Sequence, residues 1–387
     1  MWLVTVLSFF LLGFVQSVRF FGNGVDRLST SEYILTLHPH VTPQHAFHEF
    51  HAQQMERHDY QYEHLTIGQW TAITAVLDRR QLSQYLNMDD SIIHIEPVRP
   101  SFISGSCHKR KSSNWGLERL NLRDAPKKYK EAYRYSSTAD NVDVYVVDTG
   151  IAVQHPEFEG RARWGANFWD IYNYDCSGHG THVAGIIGSK TYGVAKEVNL
   201  IAVKTHSCNG EGSTKTMIQG IRWAAEAHHN SSRPSIINIS AGSQYSPSLN
   251  MAVEACIENG IIVVAAAGNA MSDACKFSPA SSPSVITVAS INNADQIDFD
   301  SNTGPCVDFF APGYSIWSTW LKNETQLDSG TSMACPHVTG VAALLLGRHP
   351  NATVTEIEKM MNETATVGKV KDAEKKGSLN KIPNISC

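Results

Sequence analysis

From Asn141 onward the chain alternates short apolar runs with segments in which apolar residues recur every three or four positions. The runs over 142–147, 198–203, 236–239 and 261–266 are apolar on both alternating sets of positions, broken only by Asp143, Asn199 and Asn238, the pattern of strands buried on both faces. Helical patterns fall between and after them, over about 179–188, 216–228, 249–258 and 338–346. This alternation predicts an α/β fold, a mainly parallel β-sheet flanked by helices. In such a sheet, strand C-termini and helix N-termini meet in one crevice, so polar residues at those points are the candidates for chemistry.

The first part of the chain has a different pattern. Strand-like runs at 33–37, 71–77 and 92–95, with helix-like stretches at 44–54 and 80–86, predict a small α+β domain over 18–106. It holds eight of the 17 histidines. The serine-rich stretch 101–113, with Gly105 and the basic run Lys109-Arg110-Lys111, reads as an exposed linker, and no internal repeat is found. Ahead of the domain, residues 2–15 form the one long apolar run, ending in Gln16-Ser17, and 1–17 is expected to be a signal peptide. Export follows, with no membrane span once the signal is removed. Six Asn-x-Ser/Thr sites, at Asn230, Asn238, Asn323, Asn351, Asn362 and Asn384, could then carry glycans, except that Asn238 sits in an apolar run and is expected to be buried and bare.

Charge excludes some partners. Lys+Arg at 32 against Asp+Glu at 37 gives a net charge of −5, so no global positive field favours nucleic acid or anionic lipid. Eight cysteines in 387 residues do not make a disulfide mini-scaffold. The function has to be read from a site.

Three positions stand out. Asp148 ends the run 142–147, where a carboxylate can orient an imidazole while staying ionised. His179 opens a helix between Gly178 and Gly180; His182 follows three residues later with no intervening Glu, so a zinc motif is weak and His182 reads as a packed structural residue. Ser332 lies in Gly330-Thr331-Ser332-Met333-Ala334-Cys335-Pro336-His337, at the start of a buried helix that tolerates Pro336 in its first turns. A serine hydroxyl becomes nucleophilic when an imidazole takes its proton, and a carboxylate fixes that imidazole's tautomer. Asn269, after the run 261–266, and the Ser332 amide could supply donors to an oxyanion.

The segments Val146-Val147-Asp148-Thr149-Gly150-Ile151, Gly178-His179-Gly180-Thr181-His182-Val183-Ala184-Gly185, Ala266-Ala267-Gly268-Asn269 and Gly330-Thr331-Ser332-Met333-Ala334-x-Pro336-His337-Val338 together resemble the subtilisin-like serine proteases, the proteinase K branch in particular. The resemblance runs over about 115–382, and residues 30–98 are more loosely similar to the inhibitory pro-domain of that family. It implies a catalytic Asp148, His179 and Ser332, an oxyanion hole of Asn269 and Ser332, and no cofactor in catalysis. It implies substrate binding along Asn209–Lys215 and Ser240–Gln244, through Gly210, Gly212, Ser240, Ala241 and Gly242. Ala241 stands where those enzymes carry Leu, and Ser243 and Gln244 where they carry Gly. The implied disulfides are Cys176–Cys208 and Cys275–Cys306. Cys256 reads as a core thiol and Cys335 as an inert buried one, with Cys107 and Cys387 left over. A structural calcium is implied at Pro283, Val285 and Asp308; a second family site lacks its ligands, since Ser378 and Arg123 occupy those places.

The resemblance also implies a zymogen, with an inhibitory pro-domain over 18–106, a catalytic domain over 107–387 and a cut within 101–113. Histidine clustering in the pro-domain raises release on acidification. The expected product is a secreted, monomeric endopeptidase of broad specificity acting on proteins or peptides, inhibited by its own pro-domain. A processing protease of narrow specificity and a noncatalytic binding protein on the same fold are the competing readings.

Overall fold

The computed structural model describes residues 19–20, 31–42, 62–77, 79–85, 91–98, 100–103, 106–107, 115–125, 133–135, 139–231 and 233–385. The signal-peptide, 44–54 helix and Cys387 readings fall outside these residues.

The N-terminal part is a five-stranded sheet built from β1 (Arg19–Phe20), β2 (Ser31–Leu37), β3 (Tyr62–Ile67), β4 (Trp70–Leu77) and β5 (Ile92–Pro97), in the order β1-β5-β2-β4-β3. Helix α1 (Arg79–Tyr85) follows β4. Strand β3, Tyr-Glu-His-Leu-Thr-Ile, is absent from the sequence reading because its four polar or aromatic positions blur the alternation. Two short strands come next, β6 (Pro100–Ile103) and β7 (Ser106–Cys107). They correct the linker reading at 101–103 and 106–107: extended backbone pairs through N–H and C=O groups, and a serine-rich composition does not prevent it.

The larger part opens with α2 (Trp115–Leu120) and carries the strands β8 (Asp143–Asp148), β9 (Ala162–Asn167), β10 (Asn199–Lys204), β12 (Ser235–Ile239), β14 (Ile262–Ala266), β16 (Ile286–Ile291) and β17 (Phe309–Pro312). These seven form one sheet, ordered β17-β16-β14-β12-β8-β10-β9, with every pairing parallel. Every residue of β8, β12, β14 and β16 is buried, as consecutive apolar runs require of a sheet covered on both faces. Helices α3 (His179–Gly188), α4 (Thr214–His229), α5 (Pro247–Glu258), α6 (Thr331–Arg348) and α7 (Val354–Thr364) supply the cover. Their starts are specified locally. Ser213 and Thr216 close a capping box on α4, and Ser246 caps α5 with Pro247 at its first position. Outside the main sheet, β11 (Glu211–Ser213), β13 (Ala241–Gln244), β15 (Phe277–Ser278), β18 (Ile316–Thr319) and β19 (Thr325–Ser329) line the crevice side.

The two parts share a core. Ile34, Leu65, Ile67, Trp70 and Ala72 of the N-terminal sheet join one apolar cluster with Met217, Ile218, Ile221 and Ala224 of α4 and Leu249, Ala252 and Val253 of α5. Each buried side chain of this size contributes roughly 1.5–3 kcal/mol, so the joint is strong. Polar contacts fix its register. Lys215 Nζ donates to Glu32 Oε1 at 2.5 Å, and Gln219 donates to Glu63. Glu96 Oε1 accepts from Ser246 Oγ and from the Ser248 amide, each at 2.7 Å, placing a carboxylate on the N-terminus of α5. His94 Nε2 lies 3.0 Å from Ser248 Oγ and 3.3 Å from Thr36 Oγ1, and burial pushes its pKa down to about 4.

Candidate active site

Asp148 is the last residue of β8 and is fully buried. Its Oδ1 accepts from the Thr149 amide and from His179 Nδ1, both at 2.7 Å. Donation from Nδ1 fixes the neutral imidazole in the tautomer whose Nε2 carries a lone pair. His179 begins α3 after Gly178, whose φ of +94° suits glycine. At Gly180 an added Cβ would lie 2.1 Å from the Gly150 carbonyl oxygen and 3.0 Å from Asp148 Oδ1, so the close approach of α3 to the end of β8 requires glycine there. Burial works to lower the His179 pKa, but the Asp148 charge and hydrogen bond, with Asp328 and Asp175 further off, outweigh it and the pKa is raised.

Ser332 is the second residue of α6, which packs against α3. Its Oγ donates to the Ser240 carbonyl at 2.9 Å, while Ser240 Oγ donates to the Ser332 carbonyl at 3.0 Å. Among the described residues His179 Nε2 has no hydrogen-bond partner. Asp148 and His179 are therefore hydrogen-bonded and Ser332 Oγ is bonded to Ser240 instead. Asn269 follows Gly268 beyond β14, and its Oδ1 accepts from the Thr331 amide at 3.0 Å and from Thr331 Oγ1 at 2.7 Å. With Oδ1 doubly occupied, Nδ2 is the end of the amide free to donate elsewhere.

Gly212 and Gly242 lie on two edges with the chain's own β6 between them. Strand β6 pairs antiparallel with β11, Ser101 opposite Gly212, and with β13, Phe102 opposite Gly242 and Ile103 opposite Ala241. Gly210 precedes β11 at φ +78°, and Ser240 precedes β13. Ser243 is buried opposite Ser278 of β15, its hydroxyl on the Gln244 carbonyl. On the other side of Ser332, β7 pairs with β19, Ser106 opposite Ser329 and Cys107 opposite Asp328.

Cys176–Cys208 and Cys275–Cys306 are disulfide-bonded, the first tying the segment before His179 to the end of β10. Cys256 and Cys335 are buried free thiols; Cys335 Sγ lies 3.3 Å from Asn238 Oδ1 and burial pushes its pKa up to about 12. Asn238 is fully buried and bonds to Ser240 and Thr339, and Asn384 is buried too, whereas Asn230, Asn323, Asn351 and Asn362 are exposed. His182 Nε2 donates to the carbonyls of Ile316 and Gln326, at 3.1 and 3.0 Å, and burial lowers its pKa to about 3. Asp308 is largely buried, with Oδ2 on the Thr287 amide at 2.8 Å and its pKa raised by burial to about 6. Burial raises the Glu358 pKa, and the charges of Asp308 and Glu254 add to the effect. By type, the carbonyls of Pro283 and Val285 and the carboxylate of Asp308 are the hard oxygen donors that calcium takes. At the second family site, Ser378 Oγ accepts from the Gly304 amide and Arg123 donates to the Thr364 and Ala365 carbonyls.

Several residues matter here that the sequence does not single out. Asp175 accepts from Thr149 Oγ1 and from the amides of Ser177, Gly178 and Thr181, fastening the start of α3 to the end of β8. Asn302 binds the Ala267 carbonyl and the Ala270 and Ser272 amides, bracing the loop that carries Asn269. Thr331 orients Asn269. An Asp four residues ahead of a helix-opening histidine is a cap-like signal; Asn302 has none, because its partners are more than 25 residues away in sequence.

Residues 139–382 match the subtilase family. The chain is 41% identical over 295 residues to alkaline serine exoprotease A of Vibrio alginolyticus, covering 76% of this chain and 53% of that protein. It is 38% identical over 316 residues to the cuticle-degrading serine protease of Arthrobotrys oligospora, covering 79% and 75%. Among solved structures, a cold adapted subtilisin-like serine proteinase superposes with a TM-score of 0.67 at 42% identity, covering 71% of this chain and all of that one. The chain thus spans about half the length of the Vibrio relative.

Proposed function

This chain belongs to the subtilase family, and on that premise we propose that it is an exported serine endopeptidase made with its own inhibitory domain. In this reading Ser332 Oγ rotates from the Ser240 carbonyl to His179 Nε2, which takes its proton as the oxygen attacks the scissile carbonyl. Asp148 holds the imidazole through Nδ1 and stabilises the imidazolium. The tetrahedral oxyanion is met by Asn269 Nδ2 and the Ser332 amide. His179 then protonates the leaving amine, and water hydrolyses the acyl-enzyme by the same route. No cofactor takes part.

One observation carries this reading: the chain's own residues 100–103 pair with the strand edges β11 and β13, and its residues 106–107 pair with β19, which leads to Ser332. An extended peptide held by β11 and β13 before the nucleophile and by β19 after it is held as a substrate is held. Ile103 lies opposite Ala241 and Ser106 opposite Ser329, so the cut falls between Ile103 and Ser106, and we place it at the middle bond of that interval, Ser104–Gly105. The pro-domain boundary then moves from about 106 to 104. Backbone pairing reads extended shape more than side chains, which supports broad specificity. Before release, the shared apolar core and the Glu96 cap on α5 keep the N-terminal domain on the enzyme as an inhibitor. A calcium ion at Pro283, Val285 and Asp308 belongs to the same reading.

N-terminal sequencing of the secreted product tests it. The expected first residue is Gly105, and a Ser332→Ala chain should remain uncut; a Ser332→Ala chain cut at the same bond would contradict the proposal.

A further inference from the structure

Strand β19 runs directly into the turn that carries Ser332, and its fourth residue is Asp328. The Asp328 side chain is buried, with 3% of the residue exposed. Oδ1 accepts from the Ser329 amide at 2.8 Å, and among the described residues no Lys or Arg forms an ion pair with it. A carboxylate taken out of water without a cation is costly.

Its surroundings add more negative charge. The Gln326 carbonyl, two residues back along β19, meets His182 on the first turn of α3, which sets Asp328 beside His179, one helical turn earlier. Among the described residues, the charged groups at this corner are the His179 imidazole, Asp148 and Asp175, and each of the three carboxylates, Asp328 included, acts on His179. On β18, Ile316 stands opposite Asp328 and offers no charge. Burial raises the Asp328 pKa to about 7, with His179 pulling the other way. From the leaving-group strand, Cys107 is the residue opposite Asp328.

Paired residues of an antiparallel ladder project on the same face, as do residues two apart along one strand. In a chain bound with the cut proposed above, the first and third residues after the cut share the Asp328 face, and the second, opposite Ser329, projects away. In the chain's own sequence the first and third residues after the proposed cut are Gly105 and Cys107, neither of them a cation.

We propose that Asp328 is a specificity-determining residue that selects a lysine or arginine side chain on the leaving-group side of the cleft, at the first or third residue after the scissile bond. The incoming cation supplies the counter-charge this buried carboxylate lacks, through a charge-assisted hydrogen bond. The proposal rests on the endopeptidase reading and adds a substrate class to it.

The test uses enzyme produced from the full chain and fluorogenic peptides that differ by one residue, Lys or norleucine, at the first, second or third position after the cut. The expected result is a Lys-to-norleucine ratio in kcat/KM of roughly tenfold at the first or third position and near unity at the second, as a charge-assisted contact on one face requires. The ratio should fall towards one in Asp328→Asn and Asp328→Ser, and in wild type as NaCl rises from about 0.05 to 0.5 M. The ratio is internal to each variant, so a folding loss does not mimic the result. A Lys preference that persists in both variants, or one confined to the second position, overturns this proposal while the enzyme still reacts with a fluorophosphonate. Failure of every peptide together with no fluorophosphonate adduct overturns the endopeptidase reading, and this inference with it.

Discussion

Replacing His94 with glutamine should remove most of the acid sensitivity of the joint between the N-terminal and catalytic domains. In the joint, burial holds the His94 pKa near 4, with Ser248 Oγ and Thr36 Oγ1 as its neighbours. On release, the ring meets water and its ordinary pKa near 6.5 returns. The joint therefore requires the neutral ring. Its contribution is complete above about pH 6.5 and is lost progressively as pH falls through 4. Between pH 7.5 and 5.0 these two pKa values weaken the association roughly 30-fold, or about 2 kcal/mol. Among the described residues of this domain His40 and His64 are exposed, and the buried His94 ring at the interface is positioned to couple. The assay incubates the full chain at pH 7.5 or 5.0, withdraws aliquots into one buffer at pH 8, and follows the appearance of peptidase activity. Wild type should release activity faster at pH 5.0, and His94→Gln, which keeps hydrogen-bonding capacity without titrating, should reduce the difference to less than about threefold. A His94→Gln chain with the wild-type pH ratio would refute the reasoning.

Asn269→Ala should lower kcat by roughly 10²–10³ with little change in KM, the loss known for an oxyanion donor in the related subtilisin; a change confined to KM would contradict the role given to its Nδ2. Thr331→Val should lower kcat in the same direction, because it removes the hydroxyl that holds Asn269 Oδ1 at 2.7 Å, and unchanged kinetics would count against that orientation. Chelation by EDTA should lower the melting temperature, and Asp308→Asn should abolish the EDTA effect; an EDTA-insensitive wild type would dismiss calcium at Pro283, Val285 and Asp308. Iodoacetamide should leave native activity intact, since burial pushes the Cys335 thiol up to about 12, and rapid modification of Cys335 in native protein would contradict that environment.

The sheet was legible because its strands are apolar on both faces over most of their length, and β8, β12 and β14 coincide with such runs to within a residue or two. Asp148, His179 and Ser332 were visible because each is a polar residue at the junction of an apolar run with a helix. The glycines beside His179 were visible as residues, but their reason, the 2.1 Å approach to Gly150 O at Gly180, is a tertiary fact. Short edge strands escaped the pattern. β6, β7 and β11 owe their conformation to backbone pairing across more than a hundred residues, so Pro-Ser-Phe-Ile and Ser-Cys read as linker. Asp328 lay beside a recognised motif, and only its burial next to His179 distinguishes it from an ordinary surface carboxylate.

The central claim is that Ser332 becomes a nucleophile towards amide carbonyls. Reaction of the secreted protein with a fluorophosphonate, followed by peptide mapping, tests it most directly. The account predicts one adduct, on Ser332, absent in Ser332→Ala, whose kcat falls about 10⁶-fold by the measure of subtilisin. Peptidase activity undiminished in Ser332→Ala, with no adduct on Ser332 in wild type, would contradict it.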